Sequence, residues 1–358
     1  MIVNALMPQG FFRRDLNCVV KIVIFLLLFY RSFHTGSTAM PIYKCESSSV
    51  NPQTFPLDEI VMGLREARFK WRADQNRLKE MGGRHLPSPH TINGALELVI
   101  GALFPMRLGP NDLLQENEDF YVGHTIGVAL NTLLTQVRLE VRHQHRNDVT
   151  DPAELEEKAV GIVREFARKL PGVRSLLDTD VYAAYSGDPA AKSVDEVLLC
   201  YPGVLAMVYH RLAHCLYTLG VPLVARIAAE LAHGQTGIDI HPGAQIGAGF
   251  FIDHGTGVVI GETAIIGERV RLYQNVTLGA KSFPTDSNGD LSKGIARHPI
   301  VEDDVVIYAG ATVLGRVTIG KGAVVGGNVW LTHDVAPGCF VRQASSSNKE
   351  ALFNGNCD

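Results

Sequence analysis

From Gly234 onward aliphatic residues return every six positions, and that period constrains the fold more than any other feature of the chain. Ile240, Ile246 and Ile252 are followed by Ile260, Ile266, Leu272 and Leu278, then by Val301, Ile307, Val313, Ile319, Val325 and Leu331. Small residues often stand four places on, as at Ala244, Ala264, Ala311 and Ala323. A surface helix repeats at about 3.6 residues and a strand at about 2, so a period of six fits neither a helix nor a hairpin. It fits short strands turning at flat corners, three hexads to a coil, with each aliphatic pointing into a shared core. The expectation is a left-handed parallel β-helix over residues 236–341.

Such a prism is filled by its own side chains and cannot enclose a substrate. A site must lie on its outside or between copies, so an oligomer is the natural expectation.

The chain before the prism follows a helical grammar. Ile126, Leu130, Leu133, Leu134, Val137 and Val141 recur every three or four residues, with Arg138, Glu140 and Arg142 between them. A second pattern runs from Glu154 to Leu170, opened by Thr150-Asp151-Pro152 and closed by Pro171-Gly172. Two more cover about Leu205 to Leu219 and Pro222 to His233, while Gly82-Gly83 and Leu86-Pro87-Ser88-Pro89 mark loops. The fold class is therefore α+β multidomain: an all-α domain over 51–235, the β-helix over 236–341 and a tail over 342–358.

With 358 residues, 46% hydrophobic, the chain can build two sizeable cores. A net charge of −4 leaves no basic footprint for nucleic acid. The six cysteines include no C-x-x-C pair, which predicts reduced thiols and neither a zinc cluster nor a disulfide framework. Residues 1–50 form an extension in which Arg13 and Arg14 precede a twelve-residue apolar run, Val19 to Tyr30, broken only by Lys21. A membrane span needs about 20 residues, so no membrane partner is expected. The run has the length of a signal-peptide core, and Ser37-Thr38-Ala39 has the small residues of a cleavage site. A start at Met40 is the competing reading. The chemistry argued next uses a cytosolic donor, which favours a cytoplasmic protein over an exported one.

The hexad register breaks twice, and each break carries a histidine. From Ile252 to Ile260 the step is eight residues, the excess falling in Asp253-His254-Gly255-Thr256-Gly257. Between Leu278 and Val301 a loop protrudes and ends in Arg297-His298-Pro299. Insertions in repeat folds collect on the binding face, and loops on rigid scaffolds carry function.

Ile238-Asp239-Ile240-His241-Pro242-Gly243-Ala244, Ile252-Asp253-His254-Gly255-Thr256-Gly257 and Val259-Ile260-Gly261-Glu262-Thr263 resemble successive signatures of the serine acetyltransferases. So do Asn275-Val276-Thr277-Leu278-Gly279, Arg297-His298-Pro299 and the upstream turn Gly187-Asp188-Pro189-Ala190. The resemblance is close from about Asp188 to Pro337 and looser over the earlier helices. It implies transfer of acetyl from acetyl-CoA to the hydroxyl of L-serine, giving O-acetylserine for cysteine biosynthesis, without a metal.

A serine hydroxyl attacks well only when a base removes its proton. Imidazole, with an ordinary pKa of about 6.5, suits that task, and His254 is assigned to it. The family pattern gives Asp239 the role of orienting carboxylate, one coil below His254. His298 shares acid–base duty or holds substrate. Asp188 and Asp253 suit the ammonium of serine and Arg297 its carboxylate, with Glu262 as a further substrate-side candidate. The resemblance puts coenzyme A along the later coils, near Gly279, Ala309 and Gly310, with Lys321 as a phosphate contact. Tyr308 stands where relatives often carry glycine.

Two departures bear on regulation and partners. The loop after Leu278 is longer than the glycine-rich loop of better-known bacterial enzymes. The chain ends Asn356-Cys357-Asp358 instead of the isoleucine that inserts into O-acetylserine sulfhydrylase, so weak or absent binding of that partner is expected. The family implies a trimer, paired into a dimer of trimers. Competing readings are a hexapeptide O-acetyltransferase acting on another hydroxyl, a zinc γ-class carbonic anhydrase using His241, His254, His298 and His333, and an inactive scaffold.

Overall fold

A computed structural model describes residues 55–75, 86–146, 148–282, 291 and 294–343. The signal-like segment, the Gly82-Gly83 loop, most of the inserted loop after Ser282 and the terminal Asn356-Cys357-Asp358 lie outside them. The chain divides into two units, residues 1–80 and 81–358. In the first, helix α1 (Leu57–Asp74) has Asp58 and Glu59 in its first turn and Arg72 in its last, a charge order that complements the helix dipole.

The second unit holds the other described helices: α2 (Pro89–Leu103), α3 (Pro105–Leu108), α4 (Glu118–Gln144), α5 (Pro152–Gly187), α6 (Val194–Cys200), α7 (Pro202–Thr218) and α8 (Pro222–Thr236). Asp151 caps α5 by accepting from the Ala153 N–H at 2.9 Å. The helix does not end at Pro171, as its sequence suggests, but runs on to Gly187. An interior proline costs about 3 kcal/mol. Beyond it, however, Val173, Leu177, Val181 and Ala184 continue the buried face, and that packing carries the helix through. The extension matters because it delivers Asp188 to the prism.

The prism has three faces of parallel strands. The first face stacks β1 (Asp239–Ile240), β4 (Val259–Ile260), β7 (Thr277–Gly279), β10 (Thr312–Leu314) and β13 (Trp330–Leu331). The second stacks β2 (Gln245–Ile246), β5 (Ile265–Ile266), β8 (Ile300–Val301) and β11 (Thr318–Ile319). The third stacks β3 (Phe251–Ile252), β6 (Arg271–Leu272), β9 (Val306–Ile307), β12 (Val324–Val325) and β14 (Phe340–Val341). Every hexad aliphatic is buried except Ile246, which is half-buried, and Ala244, Ala264, Ala311 and Ala323 are fully buried beside them. Val259 pairs with Thr277, a regular coil of eighteen residues, whereas Asp239 pairs with Val259 across twenty. The extra two residues are thus absorbed at a corner without disturbing strand register.

Helices and prism share a buried joint. Asp180 of α5 and Arg211 of α7 form an ion pair at 3.0 Å, with side chains 1% and 5% exposed. Arg211 also donates to the carbonyls of Ile246 and Gly247, and Asp180 accepts from the Phe250 N–H at 2.9 Å. Burial pushes the Asp180 carboxyl up, against the pull of Arg211. Removing one partner from such a pair strands a buried charge, so the joint fixes α5 and the β2–β3 turn together. Cys200 and Cys215 carry free thiols, as expected. Cys339 is disulfide-bonded, so the expectation of reduced thiols does not hold there. No described helix is long and apolar enough to cross a membrane.

Candidate active site

Within one chain the candidate residues divide between corners of the prism. His254 lies where the third face turns into the first, between β3 and β4. Its backbone is left-handed, φ 58°, a conformation uncommon for residues other than glycine, asparagine, aspartate and histidine. Gly255 and Gly257, at φ 89° and 76°, complete the turn. The imidazole is 70% exposed, and its Nε2 is 3.8 Å from the Asp253 carboxylate. Asp188, at the end of α5, joins this corner. Its carboxylate accepts from the Tyr201 hydroxyl at 2.5 Å and from the Ala190 N–H at 2.8 Å. The Tyr201 bond, then the Ala190 N–H, hold Asp188 below the usual carboxylate range, with His254 and Arg271 adding to the effect. The same bond pushes the Tyr201 phenol up to about 12.

Asp239 is one coil away at the start of β1, but its carboxylate does not meet His254 in the single chain. It lies instead with those of Glu230 and the His233 ring, their polar atoms within 4.8 Å of one another. The reason is the end of α8, which packs alongside β1 and offers those side chains as neighbours. The carboxylate in contact with His254 is Asp253.

The second cluster lies at the next corner, where the first face turns into the second. Arg297 donates to Glu262 at 2.8 Å, and the Tyr217 hydroxyl donates to the other Glu262 oxygen at 3.2 Å. Burial disfavours the Glu262 charge, but the Arg297 bond and neighbouring groups hold its carboxyl below the usual range. His298 is only 6% exposed. Its Nδ1 accepts from the Thr263 N–H at 3.1 Å, which leaves the ring proton on Nε2. Burial, then the charge of Arg297, lowers its pKa to about 4, so His298 is neutral across working pH. Thr263 Oγ1 accepts from the N–H groups of both Arg297 and His298, at 2.9 and 3.2 Å, and so pins the end of the inserted loop.

The residues expected along the cofactor divide too. Ala309 and Gly310 lie further along the His254 corner, where Asn275 and Asn328 also take left-handed backbone. Beside them Tyr308 stacks on Tyr273, ring centres 5.0 Å apart. Gly279 ends β7 at the His298 corner, bonded through its carbonyl to the Gly315 N–H. Lys321 is at the third corner, 3.7 and 3.8 Å from Asp303 and Asp304, so it joins neither cluster and its charge is already engaged.

Sequence reasoning missed Tyr201, Tyr217, Thr263 and Arg271. Of these only Thr263 carried a signal, since it falls inside a quoted signature.

A hexapeptide prism whose register opens at an exposed histidine flanked by carboxylates defines an acyltransferase of the hexapeptide class, and residues 298–333 match the family model "Bacterial transferase hexapeptide (six repeats)". The chain is 56% identical over 262 residues to a plasmid serine acetyltransferase of Synechococcus elongatus, an alignment covering 72% of this chain and 82% of that one. It is 50% identical over 162 residues to the serine acetyltransferase of Mycobacterium tuberculosis, covering 45% and 67%. Among solved structures, serine acetyltransferase 1 of Entamoeba histolytica in complex with L-cysteine superposes with a TM-score of 0.60 at 39% identity, covering 69% of this chain and 86% of that one. The chain belongs to the serine acetyltransferases.

Proposed function

We propose that this chain transfers acetyl from acetyl-CoA to the hydroxyl of L-serine, releasing O-acetylserine and the free thiol of coenzyme A. The observation that carries the reading is an exposed imidazole, His254, beside Asp253 and near Asp188, at the two-residue expansion of the repeat. His254 takes the hydroxyl proton as the serine oxygen attacks the thioester carbonyl. The carbon–sulfur bond then breaks, and the leaving thiolate takes the proton back from the imidazolium. Asp188 and Asp253 receive the substrate ammonium. The family pattern supports Asp239 as orienting carboxylate, and contacts of this kind are often loose before substrate binds.

Arg297 and His298 belong to a different corner from His254, with β4 between them. Packing two copies side by side brings unlike corners together, so the reading is that each complete site lies between neighbours in a closed ring, three-fold in the family. Gly279 from one copy with Ala309 and Gly310 from the other then border the same cleft, where the pantetheine arm of acetyl-CoA would run. His298, neutral with its proton on Nε2, serves there as a hydrogen-bond donor and not as a base.

The test is thiol release from acetyl-CoA in the presence of L-serine, L-threonine, L-homoserine or a sugar acceptor. L-serine is expected to give the largest kcat/KM. Release with a sugar but not with L-serine would overturn the acceptor assignment.

A further inference from the structure

The end of α8 assembles three side chains that acetyl transfer does not use together. Glu230 and His233 are three residues apart and so share one face of the closing turns of the helix. Gly237, at φ 69°, caps the helix in left-handed backbone and leads the chain into β1. Asp239, at the start of β1, comes to lie beside that face. One oxygen of each carboxylate and one ring nitrogen of His233 are all within 4.8 Å of one another.

Charge and spacing both suit a cation. Arg226 pairs with one oxygen of Glu230 at 2.5 Å, and the other oxygen faces His233 Nδ1 at 3.3 Å. Arg226 thus offsets one of two neighbouring negative charges, and the carbonyl end of a helix favours a further positive one. A tetrahedral metal ion about 2.0–2.1 Å from its ligands holds those ligand atoms about 3.3 Å apart. Glu230 and His233 already have that separation, so a short inward shift of Asp239 completes a three-ligand site.

The donor set defines the class of ion. One imidazole with two carboxylates suits a divalent first-row ion such as zinc, with water in the open position, and Glu-x-x-His on a helix is a spacing that metal-binding bundles use. Asp239 is also the carboxylate that the family pattern gives to His254. A carboxylate held by a metal at the end of α8 cannot orient the His254 ring at the same time.

We propose that Glu230, His233 and Asp239 form an inhibitory site for a divalent transition-metal ion, which stops acetyl transfer by keeping Asp239 away from His254. The inhibition rests on the acetyltransferase reading above, whereas the binding of the ion does not.

The experiment titrates Zn²⁺ calorimetrically into metal-free wild type, His233→Ala and Glu230→Gln. Turnover with L-serine is followed in parallel by the loss of thioester absorbance, because zinc also binds the released thiol. The expected result is a Zn²⁺ site in wild type that weakens about tenfold or more in either variant. Without metal both variants keep the wild-type kcat and KM for L-serine, since neither side chain takes part in the transfer. Saturating Zn²⁺ lowers the wild-type kcat about tenfold or more, as expected for a base that loses its orienting carboxylate. That fall follows the filling of the calorimetric site, and the variants lose it. Mg²⁺, which prefers oxygen ligands, leaves turnover unchanged. Zn²⁺ binding that is undetectable in wild type, or equally tight in His233→Ala, would overturn the site. Full turnover with the site filled would overturn the inhibition. A wild type inactive toward L-serine that still shows the calorimetric difference removes the acceptor reading and upholds the metal site.

Discussion

His254 and His298 stand at two corners of one prism in opposite surroundings. The first is 70% exposed, in a left-handed turn and beside a carboxylate. The second is 6% exposed, locked by Thr263 and crowded by Arg297. Both arise from interruptions of the same hexad repeat, so sequence position alone treats them alike. The difference is one of burial. A base must meet solvent-borne substrate and gain a proton reversibly, which the open corner allows. The closed corner fixes a neutral ring whose remaining proton can only be donated.

If the two corners cooperate between copies, mixing two inactive variants is the strongest way to break the comparison. His254→Ala and Arg297→Ala are each expected to lose nearly all activity. After subunit exchange, about a quarter of the sites in a random closed ring combine two intact halves, and activity should return to that order. No recovery would mean that each chain completes its own site.

Acid stability separates the corners next. The folded state holds His298 near 4 and buried His210 well below its ordinary value, whereas an unfolded histidine titrates at about 6.5. The unfolded chain therefore binds more protons between those values, and stability is full above about pH 6.5 and falls as pH drops toward 4. The wild-type Tm is expected to fall by about 3 °C or more between pH 7 and pH 5. In His298→Gln that slope should be shallower, with His254→Gln as the exposed control. Equal slopes in wild type and His298→Gln would contradict the buried, neutral assignment.

The smallest effect concerns the phenol that holds Asp188. Tyr201→Phe removes one bond to a half-buried carboxylate and should raise the KM for L-serine about threefold to tenfold, with kcat little changed. Tyr217→Phe, at the other corner, should change it less, because Arg297 still holds Glu262. Steady-state kinetics on both variants checks the order.

The prism was legible because an aliphatic side chain points inward at every sixth position, and the pattern survives every substitution that keeps it aliphatic. The expansion at Asp253-His254 was legible for the same reason, as a fault in a regular count. The passage of α5 through Pro171 was not, since the local cost of proline is visible in sequence and the distant packing that overrides it is not. The site shows the same limit. Tyr201 reaches Asp188 across α6, Tyr217 reaches Glu262 from a helix, and Arg271 is pressed on Gly187 from a neighbouring coil. Each contact joins residues separated by at least one whole element, and none leaves a local motif. Asp239 illustrates the converse. The repeat sets it at the start of the first face, in register with Val259, while the carboxylate lies beside Glu230 and His233 at the end of α8, which no coil count reveals.

The central claim is that His254 is the base for acetyl transfer to L-serine. Its most direct test is the rate of thiol release from acetyl-CoA with saturating L-serine, for wild type and a folded His254→Ala variant with unchanged Tm. The account predicts serine-dependent release in wild type and a fall in kcat of about 10²–10⁴-fold in the variant. Serine-dependent release at an undiminished rate in His254→Ala would contradict it.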